Sequence, residues 1–102
     1  HVDDLANAVL IASEKYDSSM HLNIGSGEDL SIKELAELVA DIAGYKGEIK
    51  WDSSKPDGTP RKVLDVTKAK SLGWAPAISL RDGIASAMNW YKEATAKGVS
   101  RR

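Results

Sequence analysis

The chain has 102 residues with 14 basic and 15 acidic side chains, giving a formal net charge of −1. This length predicts one small domain with a modest core, and the even charge balance offers no field to attract nucleic acid or an anionic membrane. Without cysteine there is no disulfide, and a zinc site would need His1, His21 and carboxylates. With no signal peptide or membrane-spanning apolar run, we expect a cytoplasmic protein.

A first helix is predicted from the start of the chain. Asp3 or Asp4 can cap it, because a carboxylate accepts hydrogen bonds from the free N–H groups of a first helical turn. His1 and Asp4 could be read as catalytic groups, but a terminal polar residue and a cap explain them without chemistry. Because this helix begins at once, we expect a segment of a longer protein. Its predicted buried face comprises Leu5, Ala8, Val9, Ala12 and Tyr16.

A glycine turn, Gly25-Ser26-Gly27, follows a predicted short strand over residues 20–24 and precedes a helix. This order is similar to that of a dinucleotide-binding loop. Such a loop needs a third glycine for close packing of helix and strand, and Leu30 stands in that place. We therefore predict a structural turn here and no cofactor site.

Two longer helices have clear boundary signals. Ser31 and Glu34 form a capping box, and Gly44 is a typical left-handed stop. Ser79 begins the last helix of the chain. The predicted core-facing residues are Ile32, Leu35, Ala36, Leu38, Val39, Ile42 and Ala43 in the first helix and Leu80, Ile84, Ala87, Met88, Trp90 and Tyr91 in the second.

A cationic loop follows a predicted strand over residues 47–52, and Pro56, Gly58 and Pro60 stiffen it. An arginine can bind a phosphate through two parallel hydrogen bonds, while lysines add point charges. We therefore predict a phosphate-binding loop. The alternative is a solvated loop whose surface ion pairs contribute about 0–1 kcal/mol each. The charged residues are Asp52, Lys55, Asp57, Arg61, Lys62 and Asp65.

A short helix is predicted after this loop, following an extended segment at residues 63–64. Asp65 can cap it over residues 66–72, and Gly73 ends it. Trp74 then follows the stop, where an aromatic side chain usually packs as a hydrophobic anchor. We favour that role over stacking on a nucleotide base.

The run K-P-D-G-T-P-R-K, from Lys55 to Lys62, followed by L-D and L-G-W, resembles GDP-L-fucose synthases. These enzymes belong to the extended short-chain dehydrogenase/reductase superfamily. The looser pattern is shared by nucleotide-sugar epimerases and dehydratases, and the similarity extends from His1 to about Ala94. The resemblance implies an α/β fold over residues 1–102, the small C-terminal substrate-binding lobe of a Rossmann enzyme, with about four helices and two or three short strands.

The same resemblance implies a function and a set of binding residues. The whole enzyme would epimerise GDP-4-keto-6-deoxy-mannose and reduce it with NADPH to GDP-L-fucose, as a homodimer, with NADP held by a Rossmann domain outside this chain. By position, Lys62 would contact the GDP, with Arg61 beside it or structuring the loop. Asp57 would lie on the sugar-nucleotide side. Lys55 would reach a phosphate or pair with Asp57.

Several features of the complete enzyme have no counterpart in this chain. None of Tyr16, Tyr45 and Tyr91 has a lysine four residues later, as the hydride-transfer pair of the superfamily requires, and the cysteine expected for epimerisation is absent. We therefore expect no catalytic residues here and no activity from the chain alone. The alternatives are another nucleotide-sugar epimerase or dehydratase, a non-catalytic nucleotide-binding module, and a helix-rich interaction domain whose loop only connects.

Overall fold

The computed structural model of the chain describes residues 1–58 and 60–98, so that Thr59 of the predicted phosphate loop lies outside it. Its four α-helices agree with the number predicted from the sequence. The chain forms two compact units, which we call the loop unit and the helix-pair unit. The helices are α1 (Val2–Lys15), α2 (Ile32–Ala43), α3 (Thr67–Ser71) and α4 (Leu80–Ala96). The loop unit is Val2–Leu30 with Gly47–Ala77, and the helix-pair unit is His1, Ser31–Lys46 and the chain from Ile78 onward.

The ends of the helices follow local chemistry. Ser31 and Ser79 cap α2 and α4, each accepting a hydrogen bond on its hydroxyl oxygen from the N–H three residues later. Gly44 and Gly73 have φ of 73° and 93°, and each lies in a Schellman motif. At Gly73 the N–H of Trp74 donates to the carbonyl of Ala69 over 3.1 Å. The predicted caps and stops at these four positions are confirmed.

The core of the loop unit is built around Trp74, which is 3% exposed. Its indole packs with the two small residues Ala8 of α1 and Ala69 of α3. Its Nε1 donates a hydrogen bond of 3.0 Å to the buried carbonyl oxygen of Asp4. Trp74 is therefore the hydrophobic anchor that the sequence predicted. Half-buried side chains at the margin of this core are Ile11, Leu22 and Ile24.

Helix α1 differs from its prediction at both its cap and its buried face. Asp3 and Asp4 lie inside the first turn because the helix already begins at Val2. Asp4 is buried, and its carboxylate accepts a 3.0 Å hydrogen bond from the N–H of Ala77. The buried face passes through Asp4 and Ala8, whereas Leu5 and Val9 are 52% and 61% exposed. Of the predicted face, Ala8 is buried and Ala12 and Tyr16 are half-buried. The periodicity therefore predicted the helix and part of its buried face correctly, but it was wrong about Leu5 and Val9.

An apolar stripe on α1 therefore remains uncovered by the part of the chain that the structure describes. It consists of Val2, Leu5, Val9 and Leu10, all more than half exposed. Residues at spacings of three, four and seven lie on one face of a helix. The loop unit thus presents a continuous hydrophobic surface to its surroundings.

In the helix-pair unit, α2 packs against α4, and Arg81 of α4 forms an ion pair with Asp41 of α2. The predicted faces are buried only in part. Ile84 and Met88 of α4 are half-buried, but Trp90 and Tyr91 are exposed. The pattern placed Tyr91 on the predicted face and Trp90 where it widens that face, and the prediction that these two side chains face the core is wrong.

The predicted short strands are not confirmed, since no strand occurs in residues 1–58 and 60–98. The segments concerned are 20–24, 47–52 and 63–64. A strand exists only through hydrogen bonds to a neighbouring strand, so an alternating pattern predicts a strand without supplying its partner. The segments lie instead in irregular chain within the loop unit.

Candidate functional site

The cationic loop begins with a turn centred on Asp52. Its carboxylate accepts hydrogen bonds from the hydroxyl and the N–H of Ser54, and its carbonyl accepts one from the N–H of Lys55. The hydrogen bond from the Ser54 hydroxyl and, to a smaller extent, the one from its N–H hold the pKa of Asp52 below its usual value. An ionised Asp52 thus fixes the backbone where the loop starts. The side chains of Lys55 and Asp57 follow this turn and are exposed.

Arg61 is the loop cation that the structure ties to another part of the chain. Its Nε lies 2.7 Å from a carboxylate oxygen of Asp29, which follows the glycine turn. Both side chains remain accessible, at 69% for Arg61 and 44% for Asp29. No local pattern in the sequence signals this pair, because the two residues lie far apart along the chain.

A cleft of about 400 Å³ opens beside Arg61 within the loop unit. Lys70 of α3 also lines it, so two cations face one space, and Asp65 contributes a carboxylate. Such a set can bind an anion with two positive groups while the carboxylate orients a hydroxyl or an amide. Sequence reasoning missed Lys70, because a lysine on a short helix resembles any solvated surface residue.

Asp65 has a second role at the start of α3. Its Oδ1 accepts hydrogen bonds from the hydroxyl of Thr67 at 2.6 Å and from the N–H of Thr67 at 3.0 Å. These bonds, the hydroxyl first, lower the pKa of Asp65 from its usual value. The prediction that Asp65 caps this helix is thus right in its chemistry, although α3 begins at Thr67 with Val66 at the cap position.

A smaller cavity of about 210 Å³ shares Asp65 and Thr67 with the cleft. His21, Asn23 and Lys68 complete its lining. Its polar side chains suit a hydrogen-bonding ligand or ordered water rather than an apolar group. The cleft and this smaller cavity therefore both border the start of α3.

The predicted site residues are only partly brought together. Arg61 lines the cleft, whereas Lys55, Asp57 and Lys62 are exposed loop residues outside its lining. Among the described residues no ion pair joins Lys55 to Asp57. The four residues thus form a charged stretch rather than a closed pocket.

The glycine turn has the geometry of a structural turn. Gly27 has a φ of 76°, and a Cβ added there would lie 3.2 Å from a methyl group of Val66. A Cβ on Gly25 would meet Leu64 and Val66 at 3.7–3.8 Å. Apolar side chains of Leu64 and Val66 therefore lie close to these glycines, and Gly27 also borders the cleft beside Arg61.

In the described ranges no group of three or more histidine, aspartate or glutamate side chains is arranged to hold a metal ion. None of the four helices is both long enough and apolar enough to cross a membrane.

Comparison with known proteins gives a consistent set of relatives, although no protein-family model matches the chain. A putative GDP-L-fucose synthase of Arabidopsis thaliana is 53% identical over 93 residues, 91% of this chain and 28% of that protein. The GDP-L-fucose synthase of Escherichia coli is 48% identical over 93 residues, 91% of this chain and 29% of the enzyme. A putative UDP-glucose 4-epimerase of Methanocaldococcus jannaschii is 37% identical over 92 residues.

A solved structure is similar to this fold as well. It is the GDP-mannoheptose C4 reductase of Campylobacter jejuni with NADP bound, with a TM-score of 0.78 and 40% identity. The match covers 90% of this chain and 30% of the reductase. The resemblance to GDP-L-fucose synthases is confirmed along about nine tenths of the chain, which spans less than a third of the length of these relatives.

Proposed function

We propose that the chain is the substrate-binding part of a GDP-L-fucose synthase and that its cationic loop binds the diphosphate of the GDP-sugar. Relatives of this name match 91% of this chain and are identical to it at about half of the aligned positions. The observation that carries the proposal is the cleft of the loop unit, where Arg61 and Lys70 face the same space. A diphosphate is an anion that an arginine fork and a lysine point charge can hold together.

The roles proposed for the loop residues are those that the resemblance to GDP-L-fucose synthases implies. Lys62 contacts the GDP, and Arg61 lies beside it, either binding a phosphate or structuring the loop. Asp57 accepts hydrogen bonds on the sugar-nucleotide side, and Lys55 reaches a phosphate. The exposure of Lys55, Asp57 and Lys62 supports this assignment, since a ligand can approach all three side chains.

The whole protein is proposed to epimerise and reduce GDP-4-keto-6-deoxy-mannose with NADPH in the cytoplasm, as a homodimer. When bound, NADPH would supply the hydride, and a Rossmann domain outside this chain would hold it. The uncovered apolar stripe of α1 supports that division of labour, because it fits a surface that packs against a further domain. The short strands would form there, where a sheet offers them partners.

One other function is supported by a relative of this chain. Another nucleotide-sugar epimerase or dehydratase is favoured by the 37% identity to a putative UDP-glucose 4-epimerase. A non-catalytic nucleotide-binding module would use the same cleft without a reaction. A third alternative, an interaction domain with an inert connecting loop, predicts no nucleotide affinity.

Calorimetric titration of the chain with GDP and with UDP separates these functions. We expect GDP to bind more tightly than UDP, and Arg61→Ala with Lys62→Ala to abolish binding because two of the three cations of the K-P-D-G-T-P-R-K run are removed. Lys50→Ala is the matched control, since this exposed lysine of the loop unit lies outside the cleft. Preference for UDP would contradict the fucose assignment, and equal binding by the double variant would contradict the loop site.

A further inference from the structure

The contact between Arg61 and Asp29 is made at one side of the guanidinium group. The atom involved is Nε, at 2.7 Å from Oδ2 of Asp29. A guanidinium has two edges that can each receive an anion, one through Nε and one through the two terminal nitrogens. A carboxylate at Nε therefore leaves the terminal edge for a second anion, such as a phosphate.

The same contact joins two irregular segments of the loop unit. Asp29 follows the turn at Gly27, whose backbone lies against Val66, and Arg61 precedes the extended segment that leads to Val66. An arginine side chain has many rotamers, and ordering it on a ligand costs conformational entropy. A partner that already holds Nε reduces the entropy lost when the phosphate binds.

We infer that Asp29 is a positioning residue for Arg61: it holds the guanidinium so that the terminal edge meets a phosphate of the nucleotide. This inference rests on the function proposed above and adds a residue that the cationic loop itself does not contain. Asp29 touches no substrate and acts through Arg61 alone. Because both side chains are more than two-fifths exposed, we expect a modest effect, about two- to fivefold in affinity.

The direction of the change in GDP affinity distinguishes a positioning role of Asp29 from the repulsion by its negative charge. Asp29 is negative, so its long-range field repels a diphosphate, and removing the charge would by itself strengthen binding. Positioning predicts the opposite, a loss of affinity. Glu28 provides the matched control, because it is an exposed acidic residue next to Asp29. Its backbone N–H donates to the hydroxyl of Ser26, and among the described residues the carboxylate paired with Arg61 is that of Asp29.

The test is titration of GDP into the chain and into Asp29→Asn, Asp29→Glu and Glu28→Gln, with the Arg61 Nε–H signal followed by NMR. We expect Asp29→Asn to weaken GDP binding about two- to fivefold and to shift the Nε–H signal. Glu28→Gln should leave the signal unchanged and bind GDP as well as the original chain or better. Asp29→Glu, which keeps the carboxylate, should retain most of the affinity.

A double-mutant cycle with Arg61→Ala completes the test. In that background Asp29→Asn should cause no further loss of GDP affinity, because its route through Arg61 is gone and only the removal of a repelling charge remains. Unchanged or tighter binding by Asp29→Asn alone, or a further loss in the Arg61→Ala background, would overturn the positioning role while leaving the proposed function intact. An original chain that does not bind GDP would instead overturn the proposed function, and the positioning role with it.

Discussion

The helix-pair unit and the loop unit use the same short chain in different ways. The first is mostly α2 and α4, whose ends carry serine caps and whose stability comes from one helix packed on another. The second places a small core around Trp74 beneath long irregular segments, and it holds the cleft and the cationic loop. Irregular backbone can aim charged side chains in directions that a helix does not offer, provided a few buried contacts hold it.

The largest expected change in stability is that of Trp74→Ala, which tests the core of the loop unit. We expect a loss of about 3–5 kcal/mol in the free energy of unfolding, because the indole fills the core between Ala8 and Ala69. Urea unfolding followed by circular dichroism measures this loss. The matched control is Trp90→Ala, a tryptophan of α4 that is 63% exposed and should change stability by under about 0.5 kcal/mol. Similar losses for the two variants would show that the core is elsewhere.

Gly73→Ala tests the turn that delivers Trp74 to this core. Its φ of 93° lies in the left-handed region, where a side chain costs about 1–2 kcal/mol. Thermal unfolding should show a lower midpoint for this variant. Gly58→Ala is the control, since Gly58 has no positive φ and a Cβ there meets no atom within 4 Å. An equal loss at the two glycines would rule out backbone conformation as the cause.

Ser31→Ala tests the helix-pair unit by the same measurement. The hydroxyl of Ser31 accepts a 3.0 Å hydrogen bond from the N–H of Glu34, and losing such a cap typically costs about 1 kcal/mol. Ser31→Asp keeps an acceptor at the same position and should recover most of the loss. If the aspartate variant were as unstable as the alanine variant, the cap would not be the source of the effect.

The smallest expected change is in the titration of Asp65. Removing the hydroxyl donor with Thr67→Val should raise the pKa of Asp65 toward its usual 3.8, and carboxyl NMR during an acid titration measures it. Because the folded pKa is lowered, the ionised group stabilises the fold above 3.8 and loses that contribution as pH falls through the folded pKa. Thr67→Ser keeps the donor and should leave the pKa low. A rise in the serine variant would point to the methyl group instead.

The sequence alone determined what depends on neighbours along the chain. The number of helices, the caps at Ser31 and Ser79, the left-handed stops at Gly44 and Gly73, and the anchor at Trp74 were all predicted. A cap or a Schellman motif is closed by hydrogen bonds within a few residues, so its signal is local. The K-P-D-G-T-P-R-K run likewise pointed to relatives that comparison confirmed.

Tertiary structure decided everything that depends on residues distant in sequence. Periodicity showed that α1 is amphipathic, but only packing on Trp74 selected the face of Asp4 and Ala8 over that of Leu5 and Val9. The predicted strands had no partner within the described chain, and the meeting of Arg61 with Asp29 could not be foreseen. The reason is physical: burial, strand pairing and ion pairs between loops form only when the fold brings separate segments to the same place.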